Sequence, residues 1–144
     1  SLTVRGRARS VAFVTPRAGE GESAHDWARP AAAADTVALY MASREASRIV
    51  DGLAAAGIPV DRPVVLVESA SLPTRRMLAA PLAGLPAIAE RLGDGPAMLL
   101  VGEAYRDVLA AAVDGVVRTP AGVDIPVEAG LAGEVGLGAR RRAA

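Results

Sequence analysis

Two short apolar runs constrain this fold more than any other feature of the chain. Pro63–Glu68 (PVVLVE) and Ala97–Val101 (AMLLV) show no polar–apolar alternation. Both are far shorter than the ~20 apolar residues a membrane-spanning helix needs, and both end at turn signals. Such runs read as inner strands buried on both faces, which implies a sheet with helices packed on it. Gly93-Asp94-Gly95-Pro96 leads into the second run, and Gly102-Glu103 caps it.

Around these strands the remaining pattern fills in. Val11–Thr15 is a β-branched run stopped by Pro16, so it reads as a strand. Asp35–Met41 (DTVALYM) reads as a second strand, and Ser43 follows as a helix N-cap. Ala46, Ile49, Val50 and Leu53 recur at helical spacing until Gly57 and Pro59 stop the helix. Arg75–Leu82 reads as a strand, Leu85–Leu92 as a helix and Tyr105–Val113 as a last helix. Asp26 and Trp27 start a short helical turn inside an otherwise loop-like stretch from Pro16 to Ala34. The order predicts an α/β fold: a mixed, mostly parallel sheet of about five strands flanked by helices. A right-handed crossover would carry the Asp35 strand through its helix to a parallel neighbour at Pro63. Residues 1–113 form the domain on this reading, and 114–144 an extension holding a small hairpin and then a disordered tail.

Composition removes whole classes of chemistry. All 16 basic residues are Arg, so Schiff-base, P-loop and acid/base lysines are excluded. With no Cys and one His (His25), iron–sulfur, zinc-finger and thiol-nucleophile sites are excluded as well. His25 lies in a Gly/Glu/Ala-rich stretch and reads as a solvated loop residue rather than a triad member. The formal charge of zero gives no electrostatic reason to expect nucleic acid or a membrane as partner. The cytoplasm is the default expectation. Aromatics are only 3% against 51% hydrophobic residues, so the core must rest on many small Ala, Val and Leu contacts.

Periodicity alone says no more than an α/β domain. A succession of local patterns says more. Leu2-Thr3-Val4-Arg5-Gly6 with Ala8-Arg9-Ser10-Val11 comes first, then Asp35–Met41, then Ala56-Gly57-Ile58-Pro59 with Pro63–Glu68, then Pro96–Glu103 (PAMLLVGE). In this order and spacing they resemble the second half of uroporphyrinogen-III C-methyltransferases of the tetrapyrrole methylase family. The resemblance implies two α/β domains with S-adenosyl-L-methionine folded into the cleft between them. It also implies methyl transfer to a tetrapyrrole substrate, uroporphyrinogen III, on the way to sirohaem or cobalamin. This chain would supply the C-terminal domain. It would need an N-terminal methylase domain as partner, would form a homodimer, and would be incomplete for catalysis by itself.

The resemblance carries over residue by residue in few places. Met41 matches a methionine position set against the donor's adenosine part, and Ala70 matches a position taken by Gly or Ala for the same purpose. Gly102, at the end of the last strand, is expected to serve similarly. Arg5 matches a family arginine and is the first candidate for a substrate carboxylate, because guanidinium groups bind carboxylates bidentately. From spacing alone, Met41 reads first as core packing, Ala70 as a small loop residue and Gly102 as a turn. Arg5, Arg7 and Arg9 likewise read as a solvated or interdomain charge row. Departures from the family are plain: Val4 and Pro16-Arg17 stand where it has histidines, and Ala70-Ser71 where it has Gly-Thr. No catalytic residue is assigned. A non-catalytic assembly or dimerisation domain of the same fold is the alternative function. A carrier for a small anion on the three arginines ranks below it.

Overall fold

In the computed structural model the strands pair in an order that the chain does not visit in sequence. The structure describes residues 1–16, 26–40, 43–112, 116–118 and 124–129. The strands are β1 (Val11–Val14), β2 (Thr36–Tyr40), β3 (Pro63–Glu68), β4 (Arg76–Pro81), β5 (Ala97–Gly102), β6 (Val116–Arg118) and β7 (Asp124–Ala129). They form one seven-stranded sheet in the order β1-β2-β5-β3-β4-β7-β6. Four helices belong to it: α1 (Ala28–Ala32), α2 (Ala46–Ala55), α3 (Leu85–Ala89) and α4 (Arg106–Ala112).

A mixed sheet flanked by helices is what the sequence predicted, but its directions differ from the expectation. Only β1–β2 and β4–β7 are parallel; β2–β5, β5–β3, β3–β4 and β6–β7 are antiparallel. The strands β2 and β3 do run the same way. They are not neighbours, because β5 lies between them and opposes both. The antiparallel β5 therefore starts at the edge where β2 and β3 end: Met98 faces Tyr40, and Ala97 faces Glu68. This edge is called upper below. At the lower edge Gly102 faces Thr36. Within the stretch 114–144, β6 and β7 pair with each other and β7 lies on β4.

The pleat sorts side chains into two cores. Val37, Leu39, Val64, Leu66, Leu99 and Val101 point to the face covered by α1, α2 and α3, where they meet Ile49, Leu53, Leu85 and Ile88. Val65 and Ala79 point to the other face and pack with Tyr105 and Ala112. Both apolar inner runs thus bury both faces, as their lack of alternation requires. Trp27 wedges between α1 and α2; a Cβ on Gly52 would lie 2.8 Å from its Cζ2. Beyond the reach of α4, Phe13 (59% exposed) and Tyr40 (39% exposed) stack with ring centroids 6.4 Å apart.

Helix starts differ in detail from the sequence reading. A 3₁₀ turn, Ser43–Glu45, precedes α2, so the N-cap position belongs to Glu45 rather than Ser43. Another 3₁₀ turn, Leu82–Gly84, leads into α3, which stops at Ala89. Gly57 ends α2's exit turn with φ +93°, a conformation that favours glycine.

Candidate functional site at the upper edge

The end of β3 is where the sheet releases the chain most abruptly. Glu68 is 5% exposed and Ser69 8%, whereas Ala70, the next residue, is exposed. Ser69 makes this turn by adopting φ +51°, the one positive value among the described non-glycine residues. Its N–H donates to Pro96 O at 2.9 Å, which ties the turn to the segment entering β5. Leu72 N–H then closes the turn onto Ser69 O at 2.9 Å. Among the described residues the Ala70 amide finds no protein acceptor. A small residue with an unspent backbone donor therefore stands at a strand's carboxyl end.

Tyr40, at the end of β2, stands on the same edge with β5 between them, so the two ends lie about 10 Å apart by ordinary strand spacing. Met41, the next residue, lies outside the described residues. Grooves flank this edge on the α2 and α3 side. One of about 500 Å³ is lined by Arg44, Arg48, Pro86 and Glu90 among others, and one of about 320 Å³ by Arg44, Leu92 and Gly93 to Gly95. Arg48 Nη1 is held 2.6 Å from Glu45 Oε2.

The structure does not bring Gly102 or Arg5 to this place. Gly102 is buried at the lower edge, where a Cβ would come within 2.7 Å of Asp35 O and 3.1 Å of Thr36 Oγ1. Its lack of a side chain serves that close approach. The physical reason for the separation is the reversed direction of β5, which sends its carboxyl end away from those of β2 and β3. Arg5 is exposed in a turn closed by Ala8 N–H to Val4 O at 2.9 Å, before β1 begins and so also near the lower edge. Arg7 pairs with Asp107 at 2.8 Å, and Arg9 offers its backbone N–H to Asp35 at 2.9 Å. The three arginines therefore splay rather than share a face. His25 lies outside the described residues.

Sequence reasoning missed a polar clasp at the lower edge. Asp35 Oδ2 accepts from Arg9 N–H (2.9 Å), Ser10 N–H (3.1 Å) and Ser10 Oγ (2.9 Å), while Asp35 N–H donates to Ser10 Oγ at 2.9 Å. These bonds, led by the one from the Arg9 backbone, hold the Asp35 carboxyl below its usual range. Nearby, Arg106 bonds Glu103 through Nε at 3.0 Å and Nη2 at 2.7 Å and lowers its pKa. Burial pushes the Tyr105 phenol up to about 12. The available signal was the pair of polar residues, Ser10 and Asp35, each directly preceding a strand.

Among the described residues no group of His, Asp and Glu is arranged to hold a metal ion, and no helix is long and apolar enough to cross a membrane. The model of the Tetrapyrrole (Corrin/Porphyrin) Methylases matches residues 1–86. The chain belongs to this family. Among tetrapyrrole methylases of known structure, a uroporphyrin III C-methyl transferase from Thermus thermophilus superposes with TM-score 0.65 at 28% identity, over 76% of this chain and 47% of that one. The Thermus thermophilus enzyme complexed with S-adenyl homocysteine gives TM-score 0.63 at 31% identity, over 74% of this chain and 48% of that one. The siroheme synthase of Thiobacillus denitrificans is 32% identical over 106 residues, 73% of this chain and 22% of that protein. That of Citrobacter koseri is 36% identical over 110 residues, 75% and 24% respectively. The chain thus spans about a quarter of these curated relatives and under half of the solved chains.

Proposed function

We propose that this chain is the C-terminal half of an S-adenosyl-L-methionine-dependent uroporphyrinogen-III C-methyltransferase, forming one wall of the donor crevice and incomplete for catalysis on its own. The observation that carries this reading is the upper edge. There the exposed Ala70 turn, with an amide that has no protein acceptor among the described residues, shares a rim with the end of β2 that leads into Met41. Adenine binds flat against apolar groups and backbone amides, and open sheets gather such ligands beyond strand carboxyl ends. When bound, S-adenosyl-L-methionine supplies an electrophilic methyl group. Ala70 and Met41 hold and orient its adenosine part. Gly102 drops out of the wall, because it is buried at the other edge.

Arg5 remains the candidate for a substrate carboxylate only at a distance from the Ala70 turn, since it lies near the lower edge. It is exposed and, among the described residues, has no ion-pair partner, whereas Arg7 is engaged by Asp107. An N-terminal methylase domain would close the crevice and carry the acid/base groups, and the product would serve sirohaem or cobalamin formation.

Titration calorimetry with S-adenosylhomocysteine tests the reading. The chain alone is expected to bind weakly, with Kd roughly millimolar, a free energy of about −4 kcal/mol. It is also expected to transfer no label from the donor to uroporphyrinogen III. Submicromolar affinity, or turnover without a second domain, contradicts the half-site. A second reading, an assembly or dimerisation domain, is favoured by the stacked Phe13 and Tyr40 left uncovered on the sheet. Light scattering decides it: a strict monomer at high concentration counts against that reading.

A further inference from the structure

Glu68 is an odd residue to bury. It closes β3 with its side chain 6% exposed, and a buried carboxylate demands partners. It finds them in the loop entering β5 and in Arg76. Gly95 N–H donates to Glu68 Oε1 at 3.1 Å, and Arg76 Nη1 stands 3.6 Å from Oε2 while donating to Arg91 O at 3.1 Å. The loop entering β5 is shaped to this side chain. A Cβ on Gly93 would lie 2.9 Å from Oε1, and one on Gly95 would lie 3.0 Å from Cγ and strike Ser69 Oγ. Ser69, the next residue, takes its positive φ and bonds Pro96 in the same loop. The ladders joining β3 to β4 and β5 already fix those strands, so the carboxylate is not needed for their pairing.

We propose that Glu68 is a positioning residue: by clasping the Gly93–Pro96 loop and Arg76, it sets the Ser69 turn so that Ala70 faces the adenosyl crevice. Both oxygens are engaged, Oε1 by the Gly95 N–H and Oε2 by Arg76, so the role assigned to Glu68 is exerted through Ala70 rather than on the donor. The ligand half of this inference rests on the donor reading above; the clasp itself does not.

The test is amide hydrogen exchange by NMR together with S-adenosylhomocysteine titration of the full chain, comparing wild type, Glu68→Met and Glu68→Gln. Glu68→Met keeps the side chain's length and removes both polar partners; Glu68→Gln keeps an acceptor for Gly95. In Glu68→Met, exchange at Gly95 and Ser69 is expected to rise roughly tenfold to a hundredfold, the scale of a lost charge-assisted hydrogen bond. Amides of Leu66 and Leu99 should follow only the change in global stability. Affinity should fall about fivefold or more beyond what unfolding explains, and Glu68→Gln should recover most of both losses. Equal acceleration at every amide makes the role merely structural and overturns the proposal. So does a loosened Gly95 with unchanged affinity. If wild-type Ser69 to Leu72 resonances ignore the ligand, the donor reading fails and takes the ligand half with it, while the exchange pattern still decides the clasp.

Discussion

Replacing Gly95 by Ala tests the loop that carries the candidate site, and the structure sets the size of the effect. The new Cβ would lie 3.0 Å from Glu68 Cγ and 3.2 Å from its Oε1, and would collide with Ser69 Oγ. The Ser69 hydroxyl can rotate away, but Glu68 is tethered at both oxygens, so the loop must move by a few tenths of an ångström. Overpacking of this kind costs about 1–3 kcal/mol. Loss of glycine's unfolded-state freedom offsets about 0.4–1 kcal/mol of that. The net loss is then about 0.5–2 kcal/mol, which lowers Tm by about 2–8 °C for a chain of this length. Thermal unfolding followed by circular dichroism reads the stability, and titration with S-adenosylhomocysteine reads the site. Affinity is expected to drop about three- to tenfold in the folded fraction, which is 0.6–1.4 kcal/mol. Gly102→Ala provides the contrast, because its Cβ meets the Asp35 backbone at 2.7 Å and backbone cannot rotate away. It should cost more stability, about 2–4 kcal/mol, yet leave affinity in the folded fraction unchanged. Equal losses of affinity in the two variants, or none in Gly95→Ala, would refute the assignment of the site to the upper edge.

Three further outcomes follow from the packing and the titrating groups. The Asp35 carboxyl is held below its ordinary value of 3.8, so the stability it contributes is present above that value and is lost as pH falls through its lower folded value. Acid unfolding of Asp35→Asn should lack that component, and an unchanged acid limb would contradict the clasp. The Tyr105 phenol titrates near 12 rather than 10.0, so stability should be complete below pH 10 and decline as pH rises toward 12. Tyr105→Phe should flatten that alkaline decline in urea titrations, with a neutral-pH change within about 1 kcal/mol, because the hydroxyl finds no partner among the described residues. Gly52→Ala should press on Trp27 at 2.8 Å, cost about 1–3 kcal/mol and alter tryptophan fluorescence; an unshifted spectrum would mean the helices are not packed this way.

Local chemistry was legible in the sequence to the extent that it is local. Pro63–Glu68 was read at its true limits because nothing but burial on both faces explains an unbroken apolar run with a proline before it and polar residues after it. The strand at Ala97 was legible for the same reason, and the one at Val11 from its β-branched run stopped by Pro16. Strand direction was not, since side-chain alternation is identical whichever way a strand runs. That is why the sheet was expected to be mostly parallel, and why Gly102, at the end of the last strand, was expected to serve as Ala70 does. The 3₁₀ turn before α2 was missed because its residues suit a helix start as well. The Ser10–Asp35 clasp joins residues far apart in sequence and became visible only once β1 and β2 were side by side. At the candidate site, Ala70 was proposed through resemblance, not spacing, because one small residue after a strand carries no signal of its own.

Backbone amide chemical shifts of the full chain, recorded across additions of S-adenosylhomocysteine, address the central claim most directly. Shifts gathered at Ser69 to Leu72 and in the Gly93–Pro96 loop, with the amides of Arg5 and Gly102 unmoved, are the expected result. Shifts centred on Arg5, Gly102 and Glu103 instead, or none anywhere at millimolar ligand, would contradict an adenosyl wall at the ends of β2 and β3.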